Sequence, residues 1–166
     1  MNYCDKIHYN IYSTEKAGFE IMVDKLLAQL PRDKQIFRLA FFGTPSDNEQ
    51  YVSRRIILRE RVRKYYGNHE PVLTYVSQPP LNGGLVLEAH MYTPDEGDHI
   101  TYKHIGAFPY VLLENGSGRF LFAGGFHGDV INFGIEQQSK EVFKLVSDLL
   151  RKEGFPINSI IRQWNY

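Results

Sequence analysis

An internal echo constrains this chain more than any other feature. Shifting the sequence by 124 residues lays Phe19 on Phe143, Met22 on Val146, Asp24 on Asp148, Leu26 on Leu150, Ile36 on Ile160 and Arg38 on Arg162. Both stretches read as an amphipathic helix followed by a strand. Such a unit cannot bury its apolar face alone and has to pack on a sheet. In the first copy another helix and two strands follow, whereas the second copy stops at Tyr166 with its sheet short of strands. The expectation is the N-terminal part of a longer tandem protein. A complete chain that finishes its sheet by association with other copies is the alternative.

The local signals fill in this plan. A strand-like "IHYNIY" precedes Ser13, which is placed to cap a helix carrying Phe19, Met22, Val23, Leu26, Leu27 and Leu30 on one face, with Pro31 after its end. "QIFRLAFF" has the length and apolarity of a buried strand, closed by Gly43 and Pro45. Ser46 and Glu49 have capping-box spacing and predict a helix over 47–66, ended by Gly67 and Asn68. "PVLTYVS" and "LVLEAHMY" read as strands across the turn-rich "QPPLNGG", and "TPDEGDH" as a polar connector. "FPYVLLE", Asn115-Gly116 and "RFLFAGG" then predict a hairpin. The loop "FHGDVINFG" leads to a helix over 135–153, with Val142, Leu145, Val146, Leu149 and Leu150 inward and Gly154 as its cap. "INSIIRQWNY" is expected to be a strand. The fold class is therefore α+β, a mixed sheet with helices on one face, with a first copy over 1–97 and a partial second copy over 98–166.

Composition narrows the function classes. Apolar residues make up 43% of 166, ample for a packed core. No run approaches the ~20 apolar residues of a membrane span, and "MNYCDKIHYN" lacks the basic and apolar parts of a signal peptide, so a cytoplasmic location is expected and a membrane partner is not. Cys4 is the single cysteine, which excludes an internal disulfide and a thiolate zinc site. Basic and acidic residues balance at 19 each, which disfavours nucleic acid as a partner. The six histidines have no metal-ligand spacing, and no Gly-rich nucleotide motif occurs, so neither metal nor cofactor is expected.

Read end to end, the two copies resemble the RidA/YjgF superfamily, also labelled endoribonuclease L-PSP or translation initiation inhibitor. Pro109-Tyr110 is similar to the family's early Pro-Tyr-Ser segment, and Ala123-Gly124 falls at its Ser-Gly spacing at the end of the next strand. Gln138 precedes Gly154 by the family interval, and "INSIIRQWNY" follows in the place of the helix-to-strand segment. "PVLTYVSQPPLNGGLVLE" resembles the family's second half, with Pro71, Thr74, Val76, Leu81 and Glu88 in step. Tandem copies with a degenerate first one also resemble the chorismatase branch. The resemblance implies a RidA-like fold, homo-oligomers joined through sheet edges and a small carboxylate ligand. It also implies a parent enzyme of hydrolase or deaminase type acting on an enamine, an imine or a chorismate-like enolpyruvyl ether. A non-catalytic binding or assembly module is the competing reading, and RNA binding a further one.

The family's carboxylate clamp is an arginine two residues after the proline of its Pro-x-Arg segment, where a flat charged fork can hold both carboxylate oxygens. Here that position is Leu73, so this chain alone is expected to be inactive. Glu88 occupies the acidic position and is the one catalytic candidate, with a structural role as the plainer reading. The resemblance makes Tyr110, Gly124 and Gly125 a cleft wall, although glycines closing a strand are as often turn residues. Outside the resemblance, His127 beside Asp129 could act as a general base or substrate contact, against a solvated loop histidine. The arginines of "NEQYVSRRIILRERVRKYYG" could meet RNA phosphates, but they spread around the helix as on a solvated face.

Overall fold

The computed structural model describes residues 3–81 and 83–164. Seven strands in two sheets and three α-helices among them make an α+β fold. The chain divides into two compact units, Met1–Gly125 and Phe126–Tyr166, and the boundary expected after residue 97 lies inside the first.

In the first unit, β1 (Ile7–Thr14), β2 (Gln35–Gly43), β3 (Val72–Ser77) and β4 (Leu85–Tyr92) form a mixed sheet in the order β1-β4-β2-β3. Only β2 and β3 are parallel, and α2 (Asn48–Tyr66) makes their crossover. α1 (Phe19–Ala28) and α2 cover one face. Met22, Val23, Leu26 and Leu27 of α1 and Leu58 and Val62 of α2 pack with Leu39, Phe41, Leu85, Leu87, Ala89 and Met91 of the sheet.

Two starts differ from the expected ones. Ser13 lies within β1, opposite Val86, and α1 begins after Gly18, which makes no side-chain cap. Pairing with β4 runs on to Thr14 and takes Ser13 before it can cap. The second helix is capped one residue later than the Ser46–Glu49 spacing suggests. Gln50 N donates to Asp47 Oδ1 (2.8 Å), and the Gln50 side chain reaches one residue past the cap to accept from Ser46 N at Oε1 (2.9 Å).

β5 (His99–Ile105), β6 (Phe108–Asn115) and β7 (Gly118–Ala123) form an antiparallel sheet in that order. The β6–β7 hairpin matches expectation, while β5 was hidden because "HITYKHI" has few apolar residues. This sheet meets the helix-free face of the first through Phe37, Val72 and Tyr92 against Val111 and Leu113, flanked by Phe120 and Phe122. Phe37 stacks on Tyr92 with ring centroids 5.0 Å apart.

A buried polar hub ties β4 to the second sheet. Asp98 accepts from Lys6 Nζ (3.0 Å), Tyr92 Oη (2.9 Å), the backbone N of Asp95 (2.8 Å) and Asn115 Nδ2 (2.8 Å). The Lys6 and Asp98 side chains are 8% and 2% exposed. Desolvation pushes the Asp98 carboxyl up, but the bonds from Asn115, Asp95, Lys6 and Tyr92 outweigh it and hold it at about 2.

In the second unit, α3 (Ile135–Glu153) ends on Gly154 in the left-handed conformation, as its position predicts. The strand expected after it is not formed: Ile157–Ser159 make a 3-10 turn, 160–164 belong to no strand, and Asn165 and Tyr166 lie outside the described residues. A strand without a partner has no ladder to hold it. The internal echo thus extends to the helix but not to the strand.

Asp98→Asn leaves the buried Lys6 with only the exposed Asp95 carboxylate, 3.4 Å away, as counter-charge and is expected to lower the melting temperature by roughly 6–12 °C. In the wild type the Asp98 carboxyl lies below its ordinary 3.8, so its contribution is complete above that value and disappears as pH falls from about 4 toward 2. Thermal melts of both proteins across that range check this, since the difference between them should close toward pH 2.

Candidate functional site

β2 departs from regular alternation at one point. Ile36 pairs with Met91 and Arg38 with His90, leaving Phe37 as the extra residue of a bulge. Ile36 faces the helices, and the bulge sends both Phe37 and Arg38 to the opposite face before Leu39 returns to the helix side. Arg38 thus arrives beside Glu88, its Nη1 donating to Oε1 at 3.0 Å, with the two side chains 17% and 33% exposed. Ala40 separates Glu88 of β4 from Thr74 of β3 in the sheet register.

His90 is directly opposite Arg38 and only 6% exposed. Its ring stacks on Tyr9 at 4.6 Å and meets the edges of Phe37 and Phe122 at 5.8 and 5.3 Å. Its Nε2 is buried without a hydrogen-bond partner. Desolvation first, then the neighbouring Arg38 charge, lowers its pKa to about 4, so the ring is neutral near pH 7. A guanidinium, a carboxylate and a neutral imidazole are thereby gathered on one sheet face. Such a trio can hold an anion on the guanidinium and exchange a proton or a hydrogen bond with it.

Leu73, at the position matched to the family's arginine, packs toward the helix-side core. A side chain there points away from the face that carries Glu88. The cation beside Glu88 comes from β2 instead, where Arg38 makes the ion pair.

The other sequence candidates are scattered. Tyr110 is fully buried in β6, across from Lys103 and Ala123, with no exposed surface to line an open cleft. Gly124 and Gly125 lie against the edge of β3. A Cβ on Gly125 would run into the Leu73 carbonyl oxygen, its φ is +67°, and a Cβ on Gly124 would come within 3.2 Å of Val72. The pair lets the end of β7 close on the backbone of β3. His127 belongs to the second unit, where its Nδ1 is 2.9 Å from the Gly128 carbonyl. Asp129 accepts from Asn132 Nδ2 and from the backbone N–H groups of Asn132 and Ile131, which hold its carboxyl low, with the His127 charge the smallest influence. Its bonds shape a turn.

The α2 arginines are engaged within the fold. Arg54 donates to the Thr44 carbonyl and lies over Phe19, Arg55 lies over Tyr51, Arg61 bridges Glu20 and Asp24 on α1, and Arg63 pairs with Glu70. Among the described residues no cluster of His, Cys, Asp or Glu is arranged to hold a metal, and no helix is long and apolar enough to cross a membrane.

Arg38 and His90 were not singled out from sequence as site residues. The available signal was a lone charge in the apolar run "QIFRLAFF" and two polar residues at alternate positions of "LVLEAHMY".

His90→Phe should flatten the pH dependence of stability between pH 6.5 and 4. The folded pKa of about 4 lies below the ordinary 6.5, so stability present above 6.5 is lost as pH falls toward 4, by on the order of 3 kcal/mol. Urea titrations at pH 7 and pH 4.5 measure it; an unchanged slope in the variant would remove His90 as its source. Gly125→Ala, strained by both φ and the Leu73 carbonyl, is expected to cost roughly 2 kcal/mol or more in the same titrations.

A scan against protein-family models, a search of curated proteins and a search of solved structures each returned no match for this chain.

Proposed function

We propose that the chain is a small-carboxylate-binding unit of RidA/YjgF type, with Arg38 as the anion clamp and Glu88 and His90 beside it. The observation that carries the proposal is the Arg38–Glu88 pair next to the buried, unpartnered Nε2 of His90. A buried polar atom without a partner costs roughly 1–3 kcal/mol, which a ligand supplying that bond would recover. Arg38 spends Nη1 on Glu88, and the rest of its fork can meet a planar carboxylate. His90, neutral near pH 7, is 6% exposed beneath the Tyr9 ring, so its bond to a carbonyl, imine or hydroxyl of the same ligand requires that ring to move aside.

The unit binds without turnover. Glu88 is neutralised by its ion pair and has no second cation at position 73 to hold a substrate against it, so hydrolysis of an enamine, imine or chorismate-like ether belongs to a protein that also carries the Pro-x-Arg arginine. The ligand class and the oligomeric tendency follow the resemblance, while the site itself follows the geometry.

Chemical-shift titration with pyruvate and benzoate, and with benzamide as the uncharged control, tests the reading. The carboxylates are expected to shift resonances of β2 and β4 with millimolar affinity, and Arg38→Met to weaken binding about ten-fold or more. Equal response to benzamide, or binding unaffected by Arg38→Met, would sink the clamp. Ammonia release from an imino acid, or loss of chorismate, at a rate above background would overturn the non-catalytic part alone.

A further inference from the structure

The four-stranded sheet has two edges, and they are treated differently. The first half of β3 is approached from within, because the Gly124-Gly125 segment lies against Val72, Leu73 and Thr74. β1 pairs with β4 on one side and with no described strand on the other. Edge strands are ordinarily protected by charge, proline or a bulge. β1 has none of these. Its sequence, IHYNIYST, contains no Asp, Glu, Lys or Arg, has His8 as its one basic side chain and no proline, and keeps unbroken register with β4 from Ile7 to Thr14. The edges of the other sheet are charged, with Lys103 in β5 and Arg119 in β7. Tyr9 and Ile11, at the middle of β1, are 58% and 75% exposed.

We infer that β1 is an assembly edge, and that its partner is β1 of a second copy of this chain, antiparallel about a two-fold axis normal to the sheet. An uncharged strand meets its own copy without like-charge repulsion, whereas a charged partner strand would find no complement here. The axis keeps the helices of both copies on one side, so residues of equal parity must oppose each other. Placing Asn10 on the axis sets Tyr9 of each copy opposite Ile11 of the other. That register makes two aromatic–β-branched pairs and covers both exposed apolar side chains. The result is a continuous eight-stranded sheet. The inference rests on the backbone edge of β1 and not on the carboxylate reading, although Tyr9 stacks on His90 and Ile11 stands opposite Glu88, so oligomeric state and carboxylate binding are read separately in each variant.

Light scattering on the full chain from micromolar to submillimolar concentration is expected to find a dimer. Ile11→Lys and Tyr9→Lys, at exposed positions, are each expected to raise its dissociation constant about ten-fold or more. Circular dichroism should show both variants folded. In a Cys4→Ser background, Asn10→Cys should form an intermolecular disulfide on mild oxidation, because directly opposed residues of an antiparallel ladder stand about 4.5–5.5 Å apart at Cα. Ser13→Cys, which opposes Ile7 in this register, should not. A monomer throughout, a trimer, a dimer indifferent to both lysines, or crosslinking through position 13 instead of 10 would each overturn the inference.

Discussion

The bulge at Phe37 is the constraint on which the arrangement of the first unit rests. Without it, regular alternation from Ile36 would turn Arg38 toward the helices and Leu39 and Phe41 away from them. The sheet would then bury a guanidinium in the core under α1 and expose two large apolar side chains, a swap that no plausible packing could offset. One extra residue resets the phase. It also puts Phe37 where it can stack on Tyr92 and reach Phe122, so the same irregularity builds the seam between the two sheets and aims the charge at Glu88.

A seam made only of aromatic and aliphatic contacts would hold the sheets together without fixing how they sit. The Asp98 hub supplies direction. Its four hydrogen bonds come from the start of the chain, the end of β4, the connector before β5 and the end of β6, and each is satisfied only in one arrangement. The connector "TPDEGDH" is thus more than a polar spacer. Asp95 N and the carboxylate of Asp98 make it a turn that delivers the hub's central acceptor to the seam.

Much of the fold was legible in the sequence where apolar periodicity and chain-stopping residues agree. β4, the β6–β7 hairpin and α3 fall where such signals placed them. β5 was not legible, because a strand on a sheet edge needs few apolar residues and "HITYKHI" offers few. The final strand failed for the opposite reason: Ile157, Ile160, Ile161 and Trp164 have strand-forming character, but propensity without a neighbouring ladder does not make a strand. The candidate site was half legible. Glu88 was found through a resemblance, whereas its partner could not be, since a bulge leaves no mark in "QIFRLAFF" and regular alternation would have pointed Arg38 the wrong way.

The glycine pair at the end of β7 shows how one local feature supports two different functional readings. Seen in sequence, glycines closing a strand suggest a place where a ligand can approach the backbone. In the fold the approaching group is the protein's own β3. The physical requirement is the same in both cases, removal of a Cβ and access to positive φ, so the residue type alone could not tell them apart. What distinguishes them is the second strand, and that contact spans more than fifty positions of sequence, beyond the reach of any short motif. Closing β3 in this way also decides the character of the sheet as a whole. With the start of β3 approached from within and β1 uncharged along its length, growth of the ladder is directed to β1, and the face bearing Arg38, Glu88 and His90 would extend that way.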